Sequence, residues 1–121
     1  MTVNSSINSI IPGSHLLIDF WDVQNITDID LIKDVMLQAA AACDAKILEV
    51  KLHEFGSNFG ITGVAILAES HITIHTWPEI NYVALDIFLC GLRDPKKSLP
   101  IFRSAFKPQQ EKITEIERGK N

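Results

Sequence analysis

The spacing of apolar residues changes period several times along the chain, and each change marks an element. H-L-L-I-D-F-W at 15–21 is a compact apolar run of strand length. Ile29, Ile32, Val35, Met36, Ala39 and Cys43 then recur at helical spacing, which predicts a helix over 28–43. Thr27 with Asp30 has the spacing of a helix capping box, with Asp in place of the usual Glu. Leu48, Val50 and Leu52 alternate with Glu49, Lys51 and His53, the pattern of a strand with one wet face. G-S-N-F-G at 56–60 reads as a loop. I-T-G-V-A-I-L-A at 61–68 is apolar on both faces and reads as a central, buried strand. I-T-I-H-T-W at 72–77 and Y-V-A-L-D-I-F-L-C at 82–90 add two more strands. R-D-P-K-K at 93–97 opens a second helix, with Pro100 requiring either a kink or a start near Ser98. K-I-T-E-I-E at 112–117 closes the chain as an edge strand.

The order β-α-β-β-β-β-α-β, with short connections, implies a mainly antiparallel sheet with both helices on one face: an α+β two-layer sandwich. The sheet's other face then needs cover, and a second protomer is the economical source. Residues 1–13 are polar and read as a flexible N-terminal tail, leaving 14–121 as a single domain. A chain of 121 residues suits one modest core. No stretch approaches the roughly 20 apolar residues of a membrane span. The N-terminus lacks the basic start and apolar run of a secretory signal. A net charge of −4 gives no basic footprint for nucleic acid. Two cysteines, Cys43 and Cys90, make no disulfide framework, so a cytoplasmic location is expected.

Candidate chemistry concentrates in L-A-E-S-H-I-T-I-H-T-W-P-E, residues 67–79. His71 and His75 would face one metal ion on a helix, but the β-branched residues around them and Pro78 favour a strand. On a strand the two sit about 13 Å apart and cannot chelate one ion, so no metal is expected. Ser70 lacks the flanking glycines of a hydrolase nucleophile elbow. The inert alternative makes Ser70 a turn residue, the histidines surface groups, and the cysteines core packing.

A-E-S-H-I-T-I-H-T-W-P-E, together with D-I-F-L-C-G at 86–91, resembles the processing site of the prokaryotic, pyruvoyl-dependent S-adenosylmethionine decarboxylase proenzymes. The likeness extends from G-S-H-L-L-I-D at 13–19 to T-E-I-E-R-G at 114–119. It implies that Ser70 is consumed rather than used as a nucleophile in the mature enzyme. Its Oγ attacks the Glu69 carbonyl, and β-elimination then separates 1–69 from 70–121. The dehydroalanine left at the new end of the second chain is hydrolysed by water to a pyruvoyl group, releasing ammonia. That group forms a Schiff base with the substrate amine and serves as electron sink while carbon dioxide leaves. The resemblance gives His75 the role of proton acceptor in processing and Cys90 that of proton donor in decarboxylation. Thr62 assists processing, Glu79 binds the ribose hydroxyls and Phe55 stacks on adenine. The implied product, decarboxylated S-adenosylmethionine, is an aminopropyl donor for spermidine synthesis.

Five residues of extended chain separate Ser70 from His75 by about 16 Å and point them to opposite faces. Thr62, across a turn, raises the same difficulty. A homodimer with shared active sites resolves both: Ser70 and Cys90 come from one protomer, Thr62 and His75 from the other. A sharply bent strand with a self-contained site is the alternative. G-I-T-G at 60–63 carries threonine where the family commonly has serine, so slower processing is expected. The preceding loop is one residue longer than usual, so Phe59 competes with Phe55 for the stacking role, and Leu89 stands where a small polar residue is typical. Trp77 reads as core. An arginine or ornithine decarboxylase on this scaffold needs the same Ser70, His75 and Cys90; a non-processing activator subunit is the other alternative, but its signature would be loss of Ser70, and Ser70 is present.

Overall fold

The structure, a computed structural model, describes residues 12–120. Six strands, β1 (Gly13–Trp21), β2 (Ile47–Glu54), β3 (Ile61–Leu67), β4 (Ser70–Trp77), β5 (Tyr82–Cys90) and β6 (Gln110–Arg118), form one sheet. Two helices, α1 (Ile29–Ala42) and α2 (Leu99–Phe106), complete the fold. Strand order is β2-β3-β4-β5-β1-β6 and every pairing is antiparallel. This is the α+β sandwich the apolar spacing predicts, with β6 at one edge. Of the tail expected over 1–13, residues 1–11 lie outside the described residues. Gly13 already belongs to β1, opposite Cys90 on one side and Arg118 on the other.

Local chemistry corrects two of the expected details, the cap of α1 and the place of Leu48, and at Pro100 selects the helix start near Ser98. Asp28, not Thr27, caps α1: its carboxylate accepts from the Leu31 N–H at 3.1 Å, placing an anion at the helix's electropositive end. A 3-10 turn over Pro95–Ser98 precedes α2, capped by Asp94, which accepts from the Lys96 N–H at 3.0 Å. Pro100 therefore falls in the first turn of α2, where its missing N–H has no intrahelical partner to lose. In β2 the pairing register slips between Ile47 and Glu49. That bulge turns Leu48 outward, 59% exposed, and sets Ile47 against the core instead.

Ile32, Met36, Phe102 and Phe106 of the helices pack on Leu16, Ile18, Phe20, Ile72, Ile74 and Leu85 of the sheet. Burial of each such side chain contributes about 1.5–3 kcal/mol before ordering costs. Among the described residues, the sheet's second face carries no helix. On β3, expected to be buried on both sides, Ile61, Ala65 and Leu67 are buried, whereas Val64 is half-buried and Ile66 exposed. On β4, likewise, Ile72 and Ile74 lie under the helices while His71, Thr73 and His75 face the open side. The period of two thus delivers His75 to the uncovered face of the sheet and leaves Ser70, five residues away, on the opposite side.

Candidate active site

Two clusters form at opposite ends of β4. The first is built on the turn joining β3 to β4. Leu67 pairs with Ser70, so Ala68 and Glu69 alone make the turn. Glu69 adopts φ +60°, whereas Ala68 does not have positive φ. Positive φ at only the second central residue is the demand of a type II turn, which calls for Gly or Asn. Hairpins prefer primed turns, so a glutamate here costs about 1–2 kcal/mol. The strained residue supplies the carbonyl side of the Glu69–Ser70 peptide bond. Ser70 Oγ accepts from the Cys90 backbone N–H at 3.0 Å, because β4 and β5 end side by side. Cys90 Sγ lies 3.7 Å from Glu69 Oε2 and is partly exposed.

The second cluster lies near the other end of β4. Thr62 and His75 are register partners, and Thr62 Oγ1 sits 3.2 Å from His75 Nδ1. With Nδ1–H donating to Thr62, Nε2 keeps its lone pair and can accept a proton; the other tautomer would leave Nε2 protonated. Trp77 flanks the imidazole, ring centroids 5.9 Å apart, and is itself stacked on Tyr82. A cleft of about 350 Å³ opens beside His75, lined by Phe55, Phe59, Thr62, Trp77 and Glu79. The adenine-stacking candidates and the ribose-binding candidate therefore share one hollow with Thr62 and His75. Phe55 and Phe59 are equally exposed there, 62% each. A second hollow of about 440 Å³ adjoins it, sharing Thr62 and His75.

Ser70 and His75 are not brought together within the chain. Register advances one residue at a time from Ser70–Leu67 to His75–Thr62, with no bulge, so the bent-strand alternative is absent. An extended run of five residues holds them about 16 Å apart.

Neighbouring titratable groups are tuned by burial. The His71 imidazole is pushed down from its ordinary value by burial and by His15, with Asp86 opposing. His71 stacks on Phe88, centroids 5.6 Å apart, rather than facing His75. The Tyr82 phenol is pushed up to about 12 by burial and by donating to the Asp19 carboxylate. Cys43 is buried in the core, and burial raises its thiol to about 11, which makes it inert. Among the described residues no three His, Cys, Asp or Glu side chains are grouped to hold a metal ion.

A family model described as S-adenosylmethionine decarboxylase matches residues 14–119. The chain belongs to the S-adenosylmethionine decarboxylase family. Among curated relatives, the S-adenosylmethionine decarboxylase proenzyme of Thermomicrobium roseum is 35% identical over 108 residues, covering 88% of this chain and 93% of the relative. The proenzyme of Methanococcus aeolicus is 41% identical over 110 residues, with 88% and 93% covered. The crystal structure of the adenosylmethionine decarboxylase from Aquifex aeolicus superposes with a TM-score of 0.80 at 27% identity, covering 90% of this chain and 92% of that one. The chain is thus a decarboxylase of the carboxy-lyase class by family, with the family's two-layer fold.

Two residues of the site escape the sequence pattern. Trp77, expected in the core, is 39% exposed and lines the cleft, because it occupies an open-face position of β4. Arg93, in the loop after β5, places Nη1 4.0 Å from Cys90 Sγ. Its position three residues past Cys90 was the available signal, but a loop arginine carries no periodicity to single it out.

Proposed function

We propose that this S-adenosylmethionine decarboxylase is made as a proenzyme, cleaves itself between Glu69 and Ser70, and works as a homodimer with shared active sites. The observation that carries this reading is Ser70 Oγ, held by the Cys90 N–H beside a strained Glu69. The residues fit the formation of a pyruvoyl group there. Ser70 Oγ attacks the Glu69 carbonyl, converting amide to ester. An ester is ordinarily the less stable form, and the extra chain atom it inserts into the turn relieves the positive φ. His75 of the facing protomer then removes the Ser70 Cα proton, and elimination separates the chains. Replacement of Glu69 by glycine, which adopts positive φ freely, is expected to slow cleavage roughly tenfold, the equivalent of ~1.4 kcal/mol. Glu69→Ala keeps the strain and should cleave at near the parental rate. A time course of fragment formation distinguishes the two.

In the mature enzyme the pyruvoyl group would supply the electron sink for the pair left by departing carbon dioxide. The chain's own residues bind and deliver protons. Phe55 stacks on the adenine, with Phe59 on the same cleft. Glu79 accepts from the ribose hydroxyls, as a carboxylate can do twice. Cys90 gives a proton to the carbon that has lost its carboxylate. The open sheet face, with half-buried Val64 and exposed Ile66 on it, supports a second copy as its cover, and one sheet laid on another buries such rows. A two-fold arrangement brings Ser70 and Cys90 of one protomer to Thr62 and His75 of the other twice per dimer. A soluble, cytoplasmic enzyme of spermidine synthesis is the setting that fits.

Carbon dioxide release from S-adenosylmethionine, against arginine and ornithine, tests the substrate. Release is expected from the nucleoside alone, since Phe55 and Glu79 have no use for a simple amino acid. Equal release from arginine or ornithine would contradict it.

A further inference from the structure

We propose that Arg93 is a positioning residue that keeps Cys90 able to donate its proton; this rests on the reading of Cys90 as the donor. Arg93 lies in the loop after β5, and its Nε–H donates to the Asp44 carbonyl at 2.9 Å. That carbonyl lies just past the end of α1, where the helix presents its electronegative pole. The tether holds Nη1 4.0 Å from Cys90 Sγ. Glu69 Oε2 stands 3.7 Å from the same sulfur. Cys90 Sγ therefore has both a carboxylate and a guanidinium as near neighbours, the second permanently charged.

Donation by Cys90 breaks the S–H bond and forms a C–H bond at the product carbon. The electron pair stays on sulfur, leaving a thiolate that later recovers a proton from water. Beside the Glu69 carboxylate alone, that thiolate is repelled. Arg93 offsets the repulsion, so the proton can leave sulfur at low cost. A lysine could supply the charge but would lack the Nε–H that fixes it to Asp44.

The test measures alkylation of Cys90 by iodoacetamide at fixed pH in the full chain, located by mass spectrometry, with buried Cys43 as internal reference. The thiolate is the reacting form, so Arg93→Gln is expected to alkylate roughly tenfold more slowly, as loss of one neighbouring charge in a solvent-screened site produces. Its kcat should fall by a similar factor with KM unchanged, and Arg93→Lys should recover much of both. Arg93→Met, which keeps the aliphatic stem, serves if the glutamine variant does not fold. Unchanged or faster alkylation in the uncharged variants, or equal impairment of the lysine and glutamine variants, would overturn the proposal. Cys90→Ala decarboxylating at the parental rate would instead overturn the role of Cys90 itself, and the alkylation rates read Arg93 independently of that result.

Discussion

Co-expression of a His75→Ala chain with a Ser70→Ala chain is expected to yield cleavage of the His75→Ala chain, although neither chain is cleaved when made alone. The geometry leads directly to this result. Ser70 and Thr62–His75 sit at opposite ends of an unbroken β4, so neither end serves the other within one chain. In the mixed dimer, Ser70 of the first chain meets His75 of the second, and one complete cluster forms. The other cluster lacks both groups. Gel separation of differently tagged chains shows which one is cut. If the His75→Ala chain stays whole while the mixed dimer forms, the shared site is wrong.

Replacement of Cys90 by alanine should divide the two halves of the chemistry. In the proposed self-cleavage the Cys90 backbone N–H holds Ser70 Oγ, and alanine retains that donor. In the proposed decarboxylation the side-chain proton is needed, and alanine lacks it. Fragments should therefore still form, while kcat falls by about a hundredfold or more, the usual weight of a positioned acid. The readouts are the fragment ratio and carbon dioxide release on the same preparation. Unimpaired release would remove Cys90 from the reaction; failed cleavage would give its thiol an earlier role.

Much of the fold was legible because its apolar periods are clean. Alternation along β4 and β5 places His71, Thr73 and His75 on one face before any coordinates are known. Ser70, His75 and Cys90 were legible through the motif they share with the family. Their grouping, Ser70 with Cys90 and Thr62 with His75, followed from the same reading, and in the fold it is the β4–β5 pairing across 20 residues that brings Ser70 to Cys90. The positive φ of Glu69 was hidden because the turn uses neither Gly nor Asn, the residues that announce it. Leu48 misled because a single-residue bulge inverts alternation without leaving a mark in the composition. Asp28 and Thr27 are both good caps, and which of them is used depends on where the helix enters the fold.

The most direct test of the central claim is the intact mass of the purified protein under denaturing conditions. Two fragments split between Glu69 and Ser70 are expected, with the C-terminal fragment lighter than simple hydrolysis would leave it, because the serine amine departs as ammonia. A single uncut chain after prolonged incubation, unchanged when serine replaces Thr62, would contradict self-processing and with it the pyruvoyl chemistry.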